Sequence, residues 1–143
     1  MNSYLVDTNA VSELMRPHPD PQVAAWLDDT NPDLLFASVI TFGEIRLGIE
    51  KLPAGKRRAE LESWLRVGVL PWFDKNLLPV TRSIADRWGK LTADGRRRGF
   101  TLSAGDGLIA ATALEHDLTL VTRNVKDFQG LGVAIFNPWE DQP

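Results

Sequence analysis

Cysteine is absent from this 143-residue chain. Its absence excludes disulfides, thiolate zinc sites and a cysteine nucleophile, and suits a reducing interior. Histidine is scarce: His18 and His116, the two copies present, are too few and too isolated for a histidine-based catalytic system or a His-rich metal site. No apolar run approaches the ~20 residues needed to cross a bilayer, and Met1-Asn2-Ser3 lacks the basic start of a signal peptide. A soluble, cytoplasmic protein with no membrane partner is therefore expected. Positive charge is not in excess either; the net charge of -3 leaves any nucleic-acid binding to local basic clusters. Gly105-Asp106-Gly107 does not make a dinucleotide fingerprint, and no glycine-rich loop ends in Lys-Ser or Lys-Thr. A nucleotide cofactor thus has no support. At this length one compact domain spanning residues 1–143 is expected, with roughly two-thirds of the unfolded surface buried.

What is present is a repeating alternation of short apolar runs and amphipathic stretches. Ser3 to Val6 reads as a buried strand, and Thr8 or Asn9 caps a helix through Val11, Leu14 and Met15 that stops before Pro17. Asp20-Pro21 opens a second helix carrying Val23, Trp26 and Leu27, which ends at Asn31-Pro32. Leu34 to Ser38 is the second strand. A helix bearing Phe42, Ile45 and Ile49 follows, closed by Pro53-Ala54-Gly55, and another from Lys56 through Leu65 could pair with it as a hairpin. Leu77 to Val80 is a third strand, placed at an edge because Pro79 cannot donate a ladder hydrogen bond. Helices over Ser83 to Arg98 and Ser103 to Asp117 precede strands at Leu118 to Thr122 and Val133 to Phe136. This β-α-β order, with right-handed crossovers and continuously apolar strands, predicts a three-layer α/β/α sandwich around a mainly parallel five-stranded sheet.

Four carboxylates stand where strands give way to helices or loops: Asp7, Glu44, Asp106 and Asp127. In an open α/β sheet, loops at the carboxyl ends of the strands meet in one crevice. Two carboxylates about 5 Å apart at an effective dielectric near 20 repel by roughly 3 kcal/mol, and a shared hard cation offsets this more simply than raised pKa values. Mg2+, with Mn2+ as a substitute, is the expected cofactor. Each acid also has a local explanation. Asp7, Thr8 and Asn9 suit a helix cap, Thr41-Phe42-Gly43-Glu44 matches a capping box, Ser103-Ala104-Gly105-Asp106 repeats that pattern, and Thr122 to Asp127 suits a turn. Four separate coincidences are then required, where one metal site accounts for all four. Arg96-Arg97-Arg98 and Lys56-Arg57-Arg58 are the basic runs, best explained as solvated helix ends, and the tryptophans at helical spacing belong to core or interface.

Taken in order, Tyr4-Leu5-Val6-Asp7-Thr8-Asn9, Ser38 to Gly48, Asp106-Gly107-Leu108-Ile109-Ala110-Ala111 and Leu120 to Phe128 resemble the PIN-domain ribonucleases. Within these the chain is similar to VapC-like toxins of bacterial toxin-antitoxin pairs, and the resemblance spans nearly its whole length. It implies a metal-dependent endoribonuclease acting on RNA, commonly a homodimer, whose antitoxin fills the toxin's groove and binds operator DNA through another domain. Trp26, Leu27, Leu47, Trp64 and Leu65 load the early helices with apolar surface, part of which is expected to form that groove. It also implies that Asp7, Glu44, Asp106 and Asp127 form the acidic site, supported by Thr8, Thr122 and Asn124. Many relatives place proline just before the third acid; here Leu102-Ser103-Ala104-Gly105 stands there and Ser103 can cap instead. A receiver-like Mg2+-binding phosphoacceptor is the competing signalling reading, although Asp7 stands alone after the first strand and Val133 to Asn137 contains no lysine. A catalytically silent interaction protein and a DNA-cutting nuclease of the same superfamily compete with it as well.

Overall fold

The computed structural model describes residues 2–140. Five strands, β1 (Tyr4–Val6), β2 (Leu35–Ser38), β3 (Leu77–Leu78), β4 (Thr119–Val121) and β5 (Ile135–Phe136), form one sheet in the order β3-β2-β1-β4-β5. Every pairing is parallel. β3 lies at an edge, as Pro79 predicts. The order also decides against a receiver-like domain, whose sheet runs 2-1-3-4-5.

Leu5 and Val6 point to opposite faces, as successive strand residues must. Val6 joins a cluster with Val11, Leu27, Leu35, Ile45 and Leu65 under α1 (Thr8–Glu13), α2 (Pro21–Asp29), α3 (Val39–Glu50) and α4 (Lys56–Ser63). Leu5 joins Leu102, Ile109, Leu118, Leu120 and Phe128 on the other side. That side is covered by α6 (Arg82–Arg97) and α7 (Ala104–Glu115), which pack on each other, with α8 (Val125–Phe128) at one end. α5 (Leu70–Phe73) buries Phe73 on the Val6 side. These are the three layers expected. No helix among the described residues is long and apolar enough to cross a membrane.

Three local departures have physical causes. The helix starting at Lys56 does not stop near Leu65: it continues as a π-helical turn over Trp64–Val69 and then as α5. Pro71 brings no N–H to the carbonyl four residues earlier, so the regular ladder cannot persist, and the wider turn absorbs the mismatch. Thr122 to Asp127, read as a turn, ends in the short helix α8. Leu27 and Leu65 are core residues at 2% and 0% exposure, so they cannot line a groove, whereas Leu47 at 56% and Val67 at 65% face solvent. The expected α3–α4 hairpin is present, crossed by ion pairs of Arg46 with Glu62 and Arg58 with Glu50.

Candidate functional site

Strand register creates the site. Val6 pairs with Val121, so Asp7 and Thr122 leave neighbouring strands side by side, at the point where the connections diverge to either side of β1. This is the switch point at which open sheets bind ligands. The Asp7 N–H still donates to Val121 O at 2.9 Å, and the Thr122 N–H to Phe136 O at 3.0 Å.

Asp7 is 4% exposed. One carboxylate oxygen accepts from the Thr8 N–H at 2.8 Å, which makes Asp7 itself the cap of α1 in place of Thr8 or Asn9. The other accepts from the Thr122 hydroxyl at 2.8 Å. That hydroxyl also accepts from Asn9 Nδ2 and from the Asn124 N–H, each at 3.1 Å. A hydroxyl has one donor and two acceptor sites, so Thr122 is fully used. Asn124 enters the network through its backbone. Asn9, outside the expected support set, supplies both ends of its amide, because its Oδ1 also accepts from the Arg123 N–H at 3.3 Å. Its only sequence signal is an amide three residues beyond a strand end.

Burial pushes the Asp7 carboxyl up to about 6 against the donors from Thr122 and Thr8, and the charges of Asp106 and Glu44 push the same way. A buried anion is therefore resisted where the chain places one, and a nearby cation would relieve it. Capping and ligation are compatible here, since only two of the carboxylate's lone pairs are engaged by these bonds.

Glu44 does not belong to a capping box. Ser38 caps α3 through the Ile40 N–H at 3.0 Å, leaving Glu44 well inside the helix. It is exposed, and its Oε1 accepts from the Thr8 hydroxyl at 2.5 Å, with Thr41 Oγ1 3.2 Å from the same hydroxyl. Thr41 is one helical turn before Glu44 and shares its face. Asp106 sits in the first turn of α7, whose cap is Ser103; the Asp106 N–H donates to Ser103 Oγ at 3.2 Å. Burial raises the Asp106 carboxyl, opposed by Ser103, with Asp127 and Glu44 adding to the rise. Asp127 lies exposed on α8.

Glycine at 105 permits this approach of α3 and α7. A methyl group there would meet Glu44 Oε2 at 2.8 Å. Gly105→Ala is expected to leave melting nearly unchanged, because the carboxylate can swing aside. If Glu44 takes part in chemistry at this crevice, turnover should fall roughly 10- to 100-fold through its misplacement. Full turnover in the variant would remove Glu44 from the reacting geometry.

Charge links Asp7 to Asp106 and Glu44, and Asp106 to Asp127 and Glu44. Among the described residues, however, no three acidic or histidine side chains stand close enough to form a ready-made ion cage. Carboxylates, hydroxyls and an amide are an all-oxygen set, which fits a hard cation that keeps several of its waters. Arg98 and the Lys56-Arg57-Arg58 run have partners other than these acids. Arg98 is tied to Asp94 at 3.0 Å and to Gly130 O at 3.1 Å, and Lys56, Arg57 and Arg58 pair with Glu60 or Glu50. Trp26 packs against Tyr4 and Phe136, so it is not a free stacking platform.

The PIN domain family model matches residues 4–132, from the first strand to the loop before the last. The chain is a PIN domain. A VapC ribonuclease, Y4jK, from Sinorhizobium fredii is 38% identical over 136 residues, covering 95% of this PIN chain and 97% of the relative. The structure of FitAB bound to an IR36 DNA fragment superposes with a TM-score of 0.90 at 36% identity and covers 98% of both chains. A toxin-antitoxin complex from Klebsiella pneumoniae gives 0.74 at 29% identity, covering 97% of this chain and 100% of the other.

Proposed function

We propose that this PIN domain is a divalent-metal-dependent endoribonuclease, the toxin of a toxin-antitoxin pair. The observation that carries the reading is the buried Asp7 carboxylate, fixed by Thr122 and Thr8 at the sheet's switch point and pushed up by burial and by the charges of Asp106 and Glu44. The ribonuclease name of the Sinorhizobium relative and the toxin-antitoxin assembly of the Klebsiella neighbour support it.

Asp7, Glu44, Asp106 and Asp127 would hold Mg2+ or Mn2+. When bound, such an ion neutralises a scissile phosphate and acidifies a water at neutral pH. The protein's own part is positional. Thr122 keeps Asp7 aimed into the crevice and Thr8 holds Glu44 toward it, so both carboxylates are oriented before RNA arrives. Asp127, on the exposed side, orients the attacking water in line, leaving a 5′-phosphate and a 3′-hydroxyl. The test is incubation of the purified protein with structured RNA, unstructured RNA and matched DNA in Mg2+, Mn2+ or EDTA. Internal cleavage of RNA that EDTA abolishes is expected; DNA cleavage alone, or metal-independent cleavage, overturns the reading.

The antitoxin would cover Leu47 and Val67, the large apolar side chains that face solvent. Leu47 lies three residues after Glu44 on α3, so a segment seated there runs beside the acids. Leu47→Ala is expected to weaken the antitoxin by about 2 kcal/mol in a titration while the free enzyme keeps its turnover. Unchanged affinity would place the partner elsewhere.

A further inference from the structure

A cleft of about 590 Å3 opens beside the acids, bounded by Phe100 to Ser103, Asp106, Lys126, Asp127 and Gln129. It is continuous with the site, because Asp106 and Asp127 belong to both. Its volume falls within the roughly 300–1,000 Å3 of pockets that enclose small ligands. Phe100 and Leu102 give it an apolar wall. Thr101, Ser103 and Gln129 add hydroxyl and amide groups able to pair with a base edge.

The wall is held in place by interactions that the acids do not need. Arg98 donates to Gly130 O at 3.1 Å, pairs with Asp94 at 3.0 Å and lies 5.1 Å above the Phe100 ring. Gly95 leaves room for that ring, since a methyl there would stand 3.1 Å from it. The 98–102 segment is thereby joined to the loop after α8. A cleft built in advance loses less on binding than one that must be ordered. Lys126 contrasts with Arg98: it is exposed at the rim, and among the described residues it takes part in no ion pair. A cation left unpaired beside Asp127 is suited to a phosphate.

We propose that this cleft seats the unpaired nucleotide next to the scissile phosphate, with Lys126 on the backbone and Thr101 and Gln129 on the base edge. Unstacked bases expose such edges, whereas the deep groove of an RNA duplex hides them. The cleft, not the acidic centre, then sets the cleavage sequence. This deepens the ribonuclease reading and rests on it.

Full-length Lys126→Ala and Gln129→Ala are to be compared with wild type on single-stranded RNA randomised around the cut. A labelled single-stranded RNA is also to be titrated against each substitution in an Asp7→Asn background. Lys126→Ala should raise KM about tenfold with kcat within twofold, and lower the salt dependence of binding by about one charge. Gln129→Ala should flatten base preference at one position beside the cut. Unchanged KM, salt slope and cleavage profile in folded variants would overturn the proposal. It also falls if the substitutions spare RNA and weaken only a protein partner. If wild type cleaves no RNA, the ribonuclease reading fails on its own, and the titration decides the cleft: tenfold weaker binding upholds it and equal binding ends it.

Discussion

Asp7→Asn is expected to lower metal-dependent RNA cleavage by orders of magnitude while making the metal-free protein more stable at neutral pH. Asparagine keeps the shape and an oxygen for the Thr8 N–H, so the cap survives, although its amide meets a Thr122 hydroxyl whose two acceptor sites Asn9 and Asn124 already occupy. What disappears is a buried charge. The folded carboxyl is raised from 3.8 to about 6, a gap of roughly two units that corresponds to about 3 kcal/mol. Between pH ~4 and ~6 the folded state retains a proton that the unfolded chain has released, so wild-type stability should fall as pH rises through this window. Below it the penalty is absent, and above it the penalty is complete. Denaturant titrations across this range should slope downward for wild type and lose that component in Asp7→Asn, and added Mg2+ should stabilise wild type alone. A variant with near wild-type turnover at saturating metal would remove Asp7 from the chemistry.

Thr122→Val should abolish most cleavage and cost about 2 kcal/mol or more, although it conserves shape. The hydroxyl satisfies three partners at once, and valine leaves the buried Asp7 oxygen without its donor. The Asn124 N–H and the Asn9 amide must then find water. Thr122→Ser keeps the hydroxyl and should recover most of the activity, which separates the hydrogen bonds from the lost methyl. Retained turnover in the valine variant would show that Asp7 needs no such support.

The layers and the place of Asp7 at the end of β1 were legible because each depends on a local pattern: apolar runs of strand length, helical periodicity, and an acid directly after a strand. Hydrogen-bond directions were not. Whether Glu44 closes a capping box depends on where α3 begins, and Ser38 starts it three residues ahead of Thr41, which turns Glu44 toward Thr8. The role of Asn9 required the register of β1 against β4, which joins residues 113 apart in sequence. The π-helical turn before Pro71 arises from a conflict between proline and packing that periodicity alone does not reveal. Leu27 and Leu65 looked available for a partner because hydrophobicity counts side chains without saying which face the sheet covers.

The position of β1 in the middle of the sheet bears on synthesis. One edge of β1 pairs with β2, an early strand, but its other edge waits for β4. Until residue 122 has been made, Asp7 lacks its hydroxyl donor, and no chain ending before residue 127 contains all four acids. Because domains fold as units once their long-range pairings can form, the crevice closes only after β4 and the residues that follow it have been made. A nuclease of this topology is thus inert until its fourth strand has left the ribosome.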